Sequence, residues 1–216
     1  MEPPAIPDII TVVGSSYFQP IADLIEIMLS TPQPESSPSG AGWRENGYAA
    51  SITILLVAVL ESYTARLRFV RNDEISAPRN VPDLLAQLFP DLPHHGDLLE
   101  VFLLRNLVVH NHIWHLDVSD PDSCEAQTLK SPLDLGFDVN KHYSAIVDPG
   151  IRRTRLLGLH ASPTAVDRTD VKLVFEMVWS TLSFMHSKNF SHTPLAGRNV
   201  KFRGKRVAFE TLRNEI

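Results

Sequence analysis

Several features that would place this chain in a familiar functional class are missing from its sequence. The 216 residues contain a single cysteine, Cys124, so no internal disulfide can form, and the acidic residues around it disfavour a reactive thiolate. There is no Walker loop, dinucleotide-binding glycine pattern or Gly-x-Ser-x-Gly motif. Nucleotide-hydrolysing, dinucleotide-dependent and serine-hydrolase functions therefore have no support.

Long uncharged apolar runs are also missing. The longest run, residues 52–60, is far shorter than the ~20 residues that a membrane-spanning helix needs, and Glu61 follows it directly. The first ten residues carry acids and prolines where a secretory signal carries lysines and an apolar stretch. We therefore expect a cytoplasmic protein that has no membrane partner.

The composition is that of a folded domain. Lys and Arg number 20 against 25 Asp and Glu, which gives a formal charge of −5, and 44% of the residues are hydrophobic. This apolar fraction is enough to fill a core, so overall disorder is excluded and we predict a single domain over residues 1–216. Residues 31–42, rich in proline, serine and glycine, are predicted to be a mobile loop.

Apolar periodicity predicts a mainly α fold. Helices are expected at residues 15–30, 43–70, 96–112 and 167–188, with a shorter one at residues 82–89. The second and third of these are apolar almost all round, which is typical of buried helices. Residues 117–165 are acidic and rich in turn-forming residues, and they are predicted to be an irregular insertion with room for a short strand pair.

Polar residues with chemical potential interrupt the apolar helix predicted at residues 96–112. On an ideal helix Asn106 and His110 share a face, whereas Arg105 and His110 lie ~140° apart. A site that uses both Arg105 and His110 is therefore expected where two helices or two subunits meet. A buried arginine also needs a counter-charge, and Glu61 on the preceding helix is the candidate.

Residues 105–110, Arg-Asn-Leu-Val-Val-His, resemble the R-N-x-x-x-H form of the Arg-x4-6-His motif of HEPN domains. These helical domains occur in prokaryotic toxins, in defence proteins and in some eukaryotic RNA-cleaving enzymes, and the resemblance extends over residues 45–190. It implies an up-and-down helical bundle that forms a homodimer, in which two motif helices face each other across a cleft. In active members that site is a metal-independent endoribonuclease.

The resemblance also implies a role for each motif residue. His110 would transfer protons, Arg105 would stabilise the phosphate charge, and Asn106 would orient one of them; Glu61 matches the acidic residue that many members carry on the preceding helix. His112 satisfies the looser motif spacing and remains an alternative to His110. Attack by the RNA 2′-hydroxyl would give 2′,3′-cyclic phosphate and 5′-hydroxyl ends, with no cofactor and no metal.

The tail at residues 190–216 is basic although the protein as a whole is acidic, so it is interpreted as an RNA-binding surface, with a plain solvated surface as the alternative. Its cationic residues are Arg198, Lys201, Arg203, Lys205 and Arg206. The expected partners are RNA, a second copy of the chain and a neutralising antitoxin protein. The last is expected because a toxin or antiviral defence ribonuclease would poison its own host.

Two other functions remain open on the sequence. In the first, the polar residues form a structural network in a catalytically inactive HEPN-like module that binds RNA or protein. In the second, His110, His112 and His115 bind a metal ion in a metal-dependent hydrolase, because zinc favours imidazole ligands. Cleavage of RNA in the presence of a chelator separates the ribonuclease from both alternatives.

Overall fold

The structure is a computed structural model that describes residues 13–32, 43–71, 80–109, 115–116, 129–130, 142–188, 193, 195 and 198–216. Within these residues the chain is mainly helical, with short antiparallel strand pairs. A 3₁₀ turn, Val13–Tyr17, leads into the first helix. The helices are α1 Phe18–Ser30, α2 Trp43–Arg71, α3 Val81–Leu88, α4 His95–Val109, α5 His142–Ile146 and α6 Arg168–Lys188. The strands are β1 His115–Leu116, β2 Leu129–Lys130, β3 Val147–Asp148, β4 Arg153–Thr154, β5 Asn199–Phe202 and β6 Lys205–Ala208.

Helix α2 is the centre of the core, as its nearly continuous apolar sequence predicts. It packs against α1, α4 and α6. Because these partners lie on different sides of α2, apolar residues are buried around most of its circumference, including Ile52, Leu56, Val57, Leu60, Tyr63 and Leu67. Burial of a leucine or isoleucine side chain contributes about 1.5–3 kcal/mol, so α2 is a major source of stability.

The same helix is also the described segment that resembles a membrane span. Residues 44–71 are long and apolar enough to cross a bilayer by length and composition, and half of the most apolar window is buried against the rest of the protein. The uninterrupted apolar run, residues 52–60, is much shorter than this helix, which also contains the charged residues Glu61, Arg66 and Arg68.

Helix α3, Val81–Leu88, begins and ends one residue before the predicted bounds of 82 and 89. The Asn80 side chain accepts a hydrogen bond from the backbone N–H of Asp83 at 2.8 Å, which caps the first turn, and Pro82 occupies that turn without loss of a helical hydrogen bond. At the other end, the Arg71 guanidinium donates to the carbonyl of Leu88 at 3.0 Å. These contacts fix α3 against the end of α2.

Regular structure extends further into residues 117–165 than predicted. Strands β3 and β4 pair with Val147 opposite Thr154, and α5 precedes them. The buried carboxylate of Glu100 on α4 accepts the backbone N–H groups of Leu156 and Leu157 at 2.8 and 2.7 Å. The short strand pair expected in this region is confirmed, whereas its bounds and the helix α5 were not predicted, because elements this short leave no detectable periodicity in a sequence. Of the loop predicted at residues 31–42, residues 33–42 lie outside the described residues.

The basic tail is a folded part of the core rather than only a solvated segment. Strands β5 and β6 form a hairpin whose turn has positive φ at Arg203 and Gly204, the conformation that two-residue hairpin turns require. A 3₁₀ helix, Phe209–Asn214, follows, and its Phe209 and Leu212 are buried. Phe209 contacts the rings of Phe18 and Phe175, so the tail closes the core over α1 and α6.

Candidate functional site

A polar cluster joins α2 and α4 at the edge of their contact. One terminal nitrogen of Arg105, Nη2, donates to both carboxylate oxygens of Glu61 at 2.8 and 3.0 Å, and the other, Nη1, donates to Oδ1 of Asn106 at 2.9 Å. Leu60 and Leu104, the residues before Glu61 and Arg105, are completely buried. The polar side chains therefore lie at the edge of the apolar contact between α2 and α4. We name Glu61, Arg105 and Asn106 the α2–α4 cluster.

The α2–α4 cluster is accessible to solvent, although the sequence suggested a buried arginine. The side chains of Arg105 and Glu61 are 27% and 32% exposed, and Asn106 is exposed. An ion pair with this exposure contributes about 0–1 kcal/mol to stability, because water screens it and competes for its donors. The need for a counter-charge was inferred correctly, whereas the depth of the site was overestimated.

Arg105 retains hydrogen-bonding capacity in this arrangement. A guanidinium has five N–H donors, and the contacts with Glu61 and Asn106 account for three of them. The remaining donors have no partner among the described residues. Arginine binds phosphate through paired N–H groups, so the geometry allows Arg105 to hold Glu61 and to contact a phosphate at the same time.

A cleft of about 740 Å³ lies beside the α2–α4 cluster and shares Glu61 with it. Arg68 and Phe69 line the cleft from α2, and Val81 and Leu84 line it from α3. The ring of Phe69 is 67% exposed, the highest exposure, together with Ile151, among the large exposed hydrophobic side chains of the described residues. Phe69 was not predicted to be a site residue, because an aromatic residue at the end of an apolar helix is usually part of the core.

The motif histidines fall outside what the structure describes. Helix α4 is described as far as Val109, so His110 and His112 lie beyond it, and of His115 only the backbone in β1 is described. Both Asn106 and Val109, one turn apart near the end of α4, are exposed. The end of α4 that leads to His110 therefore presents an open face.

Arg198, which directly precedes the tail hairpin, is not on the same side of α2 as the α2–α4 cluster. Tyr63 interacts with Arg198 and follows Glu61 by two residues, which on a helix corresponds to ~200° of rotation. Burial raises the pKa of the Tyr63 phenol, and the neighbouring Arg198 opposes that shift. Within one chain, Arg198 therefore lies across α2 from Arg105, and the hairpin that follows it packs against α1.

The exposed face of the hairpin carries cations directly opposite each other. Lys201 pairs with Arg206 across the strands, and Lys205 is exposed beside the turn. Arg203 instead donates to Glu215 at 2.8 Å. Like charges directly opposite on an antiparallel pair are destabilising, so a bound anion would relieve this repulsion.

One histidine–carboxylate group among the described residues has the composition of a metal site. Ligand atoms of His160, Asp167 and Asp170 lie within 4.8 Å of one another. However, Nδ1 of His160 contacts Asp170 at 2.8 Å and Nε2 contacts Arg153 at 2.8 Å, so both ring nitrogens are engaged. Since Arg153 can only donate, the ring proton is on Nδ1. Asp167 accepts the N–H of Thr169 at the start of α6. The three residues therefore form structural hydrogen bonds at the start of this helix.

A second arginine–carboxylate pair was not identified from the sequence. Arg168 at the start of α6 donates to both oxygens of Glu45 on α2, at 2.8 and 3.0 Å. The first turn of the predicted α2 did contain an acid, yet acids there usually interact with the helix dipole, and nothing in the sequence indicates a partner 123 residues away.

Comparison with known proteins finds no match to a protein-family model, to a curated protein or to a solved structure.

Proposed function

We propose that this protein is a metal-independent endoribonuclease with a HEPN-like site that includes the α2–α4 cluster. The observation that carries the proposal is the contact of Arg105 with Glu61 and Asn106, because residues selected from two different apolar helices meet at one accessible place. Their contribution to stability is small at this exposure. An arginine held in this way beside a cleft suits the recognition of a phosphate.

In the proposed reaction the RNA 2′-oxygen attacks phosphorus and the bond to the 5′-oxygen breaks. A histidine accepts the 2′-hydroxyl proton, and a protonated histidine delivers a proton to the departing oxygen. Arg105 stabilises the charge on the nonbridging oxygens, and Glu61 and Asn106 keep its guanidinium in position. His110 of each chain in a homodimer would supply one proton-transfer group, with His112 as the alternative.

The proposed biological role is that of a toxin or defence effector in the cytoplasm. An RNA-cleaving site of this kind is harmful to its host, so we also propose a neutralising antitoxin protein as a partner. The cationic face of the hairpin would bind RNA that extends beyond the cleaved bond. Because Arg198 at the base of the hairpin lies across α2 from Arg105, this face would act on a distant part of the strand or on RNA held by the other subunit.

A catalytically inactive module that binds RNA or protein is the second candidate. The observation that favours it is the pairing itself, since Glu61 neutralises the charge that Arg105 would use to bind phosphate. If the pair only positions two helices, replacement of Arg105 by another residue should have little effect on RNA binding.

The test is cleavage of mixed RNA by the purified protein in EDTA, followed by analysis of the fragment ends. We expect 2′,3′-cyclic phosphate ends, a loss of about 10²–10³-fold in rate for Arg105→Ala, and a loss of similar size for His110→Ala. His112→Ala identifies which histidine acts. Arg155→Ala is the matched control, because it removes another partly exposed arginine–carboxylate pair, with Asp148, away from the cluster.

The contrary outcomes are equally specific. Intact RNA after incubation with folded wild-type protein would favour the binding module, and cleavage that requires added zinc or magnesium would favour a metal-dependent hydrolase. In cells, we expect growth inhibition on expression that His110→Ala relieves. Equal growth of the two strains would contradict the proposed toxin role.

A further inference from the structure

A stripe of side chains on α2 leads away from the α2–α4 cluster. Ala65, Arg68 and Phe69 follow Glu61 by four, seven and eight residues, which places all of them on one face of the helix. All three are exposed, and Arg68 and Phe69 line the cleft that Glu61 borders. Glu61, which binds Arg105, therefore borders the same cleft as these cationic and aromatic side chains.

The opposite wall of the cleft is apolar and fixed in place. Val81 and Leu84 of α3 form it, and the capping contact of Asn80 and the contact of Arg71 with Leu88 hold α3 at its two ends. The cleft volume, about 740 Å³, is within the ~300–1,000 Å³ of small-ligand sites. Phe69 and this apolar wall border the same cleft, whose volume is that of a site for a small planar ligand.

The charge of the cleft is complementary to an anion. The Glu61 carboxylate is engaged by Arg105, and Arg68 has no ion-pair partner among the described residues. Arg68 lies two helical turns from Glu61, a rise of ~10.5 Å. It would therefore contact a different phosphate from the one at Arg105.

We propose that this cleft is the nucleotide subsite for single-stranded RNA, in which a base stacks on Phe69 and a flanking phosphate binds Arg68. The inference rests on the proposed function and specifies its substrate. Only an unpaired base can leave its helix to stack on a protein ring. We therefore expect single strands and loops to bind in this cleft, and duplex RNA not to bind there.

The test measures binding of a fluorescein-labelled single-stranded RNA by fluorescence anisotropy in EDTA, with His110→Ala in every sample to prevent cleavage. Phe69→Leu keeps an apolar side chain but loses the aromatic face, and we expect affinity to fall about 5- to 150-fold. Phe69→Tyr retains the ring and should bind like the parent protein. Ile151→Ala is the matched control, because Ile151 is also 67% exposed and lies outside the cleft.

The charge is tested separately. Arg68→Ala should weaken binding and reduce the slope of log affinity against log salt by about 0.7, the value for one phosphate contact on a single strand. Arg68→Lys should retain most of that slope. A duplex of the same sequence should bind with equal affinity to the parent protein and to Phe69→Leu.

Several results would overturn the subsite. The subsite is wrong if Phe69→Leu binds RNA with the same affinity as its parent protein. It is also wrong if Phe69→Leu changes only the self-association of the protein in sedimentation, which would identify a protein-binding surface. Phe69-dependent RNA binding without cleavage by the wild type would support the subsite and contradict the ribonuclease. Cleavage that depends on Arg105 but not on Phe69 would support the ribonuclease and contradict the subsite. Absence of any RNA binding would contradict both the subsite and the ribonuclease.

Discussion

Helix α2 carries two carboxylates that each bind an arginine of another helix, and their surroundings differ. At its start Glu45 is 3% exposed and its partner Arg168 is 21% exposed, whereas Glu61 and Arg105 are about a third exposed. Glu45 also accepts the backbone N–H of Arg168, and Arg168 reaches the carbonyl of Thr31. The first pair is enclosed by the fold, and the second borders an open cleft.

This difference distinguishes a structural pair from the pair that we propose to be functional. A buried pair contributes to the fold only while both partners remain, because either charge alone is costly in the interior. An exposed pair contributes little to stability, yet it can contact a ligand. Stability and activity measurements on matched variants of the two pairs therefore test the distinction directly.

The largest effect on stability is expected from Glu45→Ala. It leaves the guanidinium of Arg168 without its counter-charge in a mostly buried position, so the free energy of unfolding should fall by about 3 kcal/mol, the lower end for a buried pair. Urea denaturation followed by circular dichroism measures this. The double variant Glu45→Ala, Arg168→Met should recover part of the loss; a further decrease would contradict the assignment.

A somewhat smaller effect is expected from Glu100→Gln, which tests a buried carboxylate that has backbone partners rather than an arginine. The change removes the charge that accepts two N–H groups from Leu156 and Leu157, and hydrogen bonds to charged groups contribute about 1.5–3 kcal/mol each. Because an amide oxygen still accepts one N–H, we expect a loss of about 2 kcal/mol in urea denaturation. Unchanged hydrogen exchange at Leu156 and Leu157 would refute this role.

The smallest effect on stability is expected from Glu61→Gln. Its free energy of unfolding should change by about 1 kcal/mol or less, because the pair with Arg105 is partly solvated. RNA cleavage should nevertheless fall, since Arg105 loses the carboxylate that positions it. If Glu61→Gln instead lowers the free energy of unfolding as much as Glu45→Ala and leaves the rate of RNA cleavage unchanged, both pairs are structural.

Sequence periodicity predicts the long helices well and the tail poorly, for physical reasons. Helices α1, α2, α4 and α6 span enough turns for a face or an all-round apolar pattern to emerge. The strands of the tail hairpin have four residues each, and their cationic composition conceals the alternation by which Val200 and Phe202 enter the core. The sequence reveals the positive charge of the hairpin, but it does not reveal that the other face of the hairpin packs against the core.

The candidate site was predicted in part. The need of Arg105 for a counter-charge follows from electrostatics, and Glu61 was the appropriate acid in the preceding apolar helix. The exposure of the cluster was not predicted, because the apolar residues before Arg105 and after Asn106 conceal the edge of the helix contact. The cleft beside it depends on how α3 folds against α2, which no local pattern encodes.

The contact between α1 and the hairpin has a consequence for synthesis of the protein. Gln19 exchanges hydrogen bonds with the backbone of Lys201, a residue 182 positions later. At about 5–20 residues per second, the ribosome needs roughly 10–35 s between these two residues. During that interval Phe18 lacks the cover of Phe209, so completion of the fold follows, rather than accompanies, the emergence of its first helix.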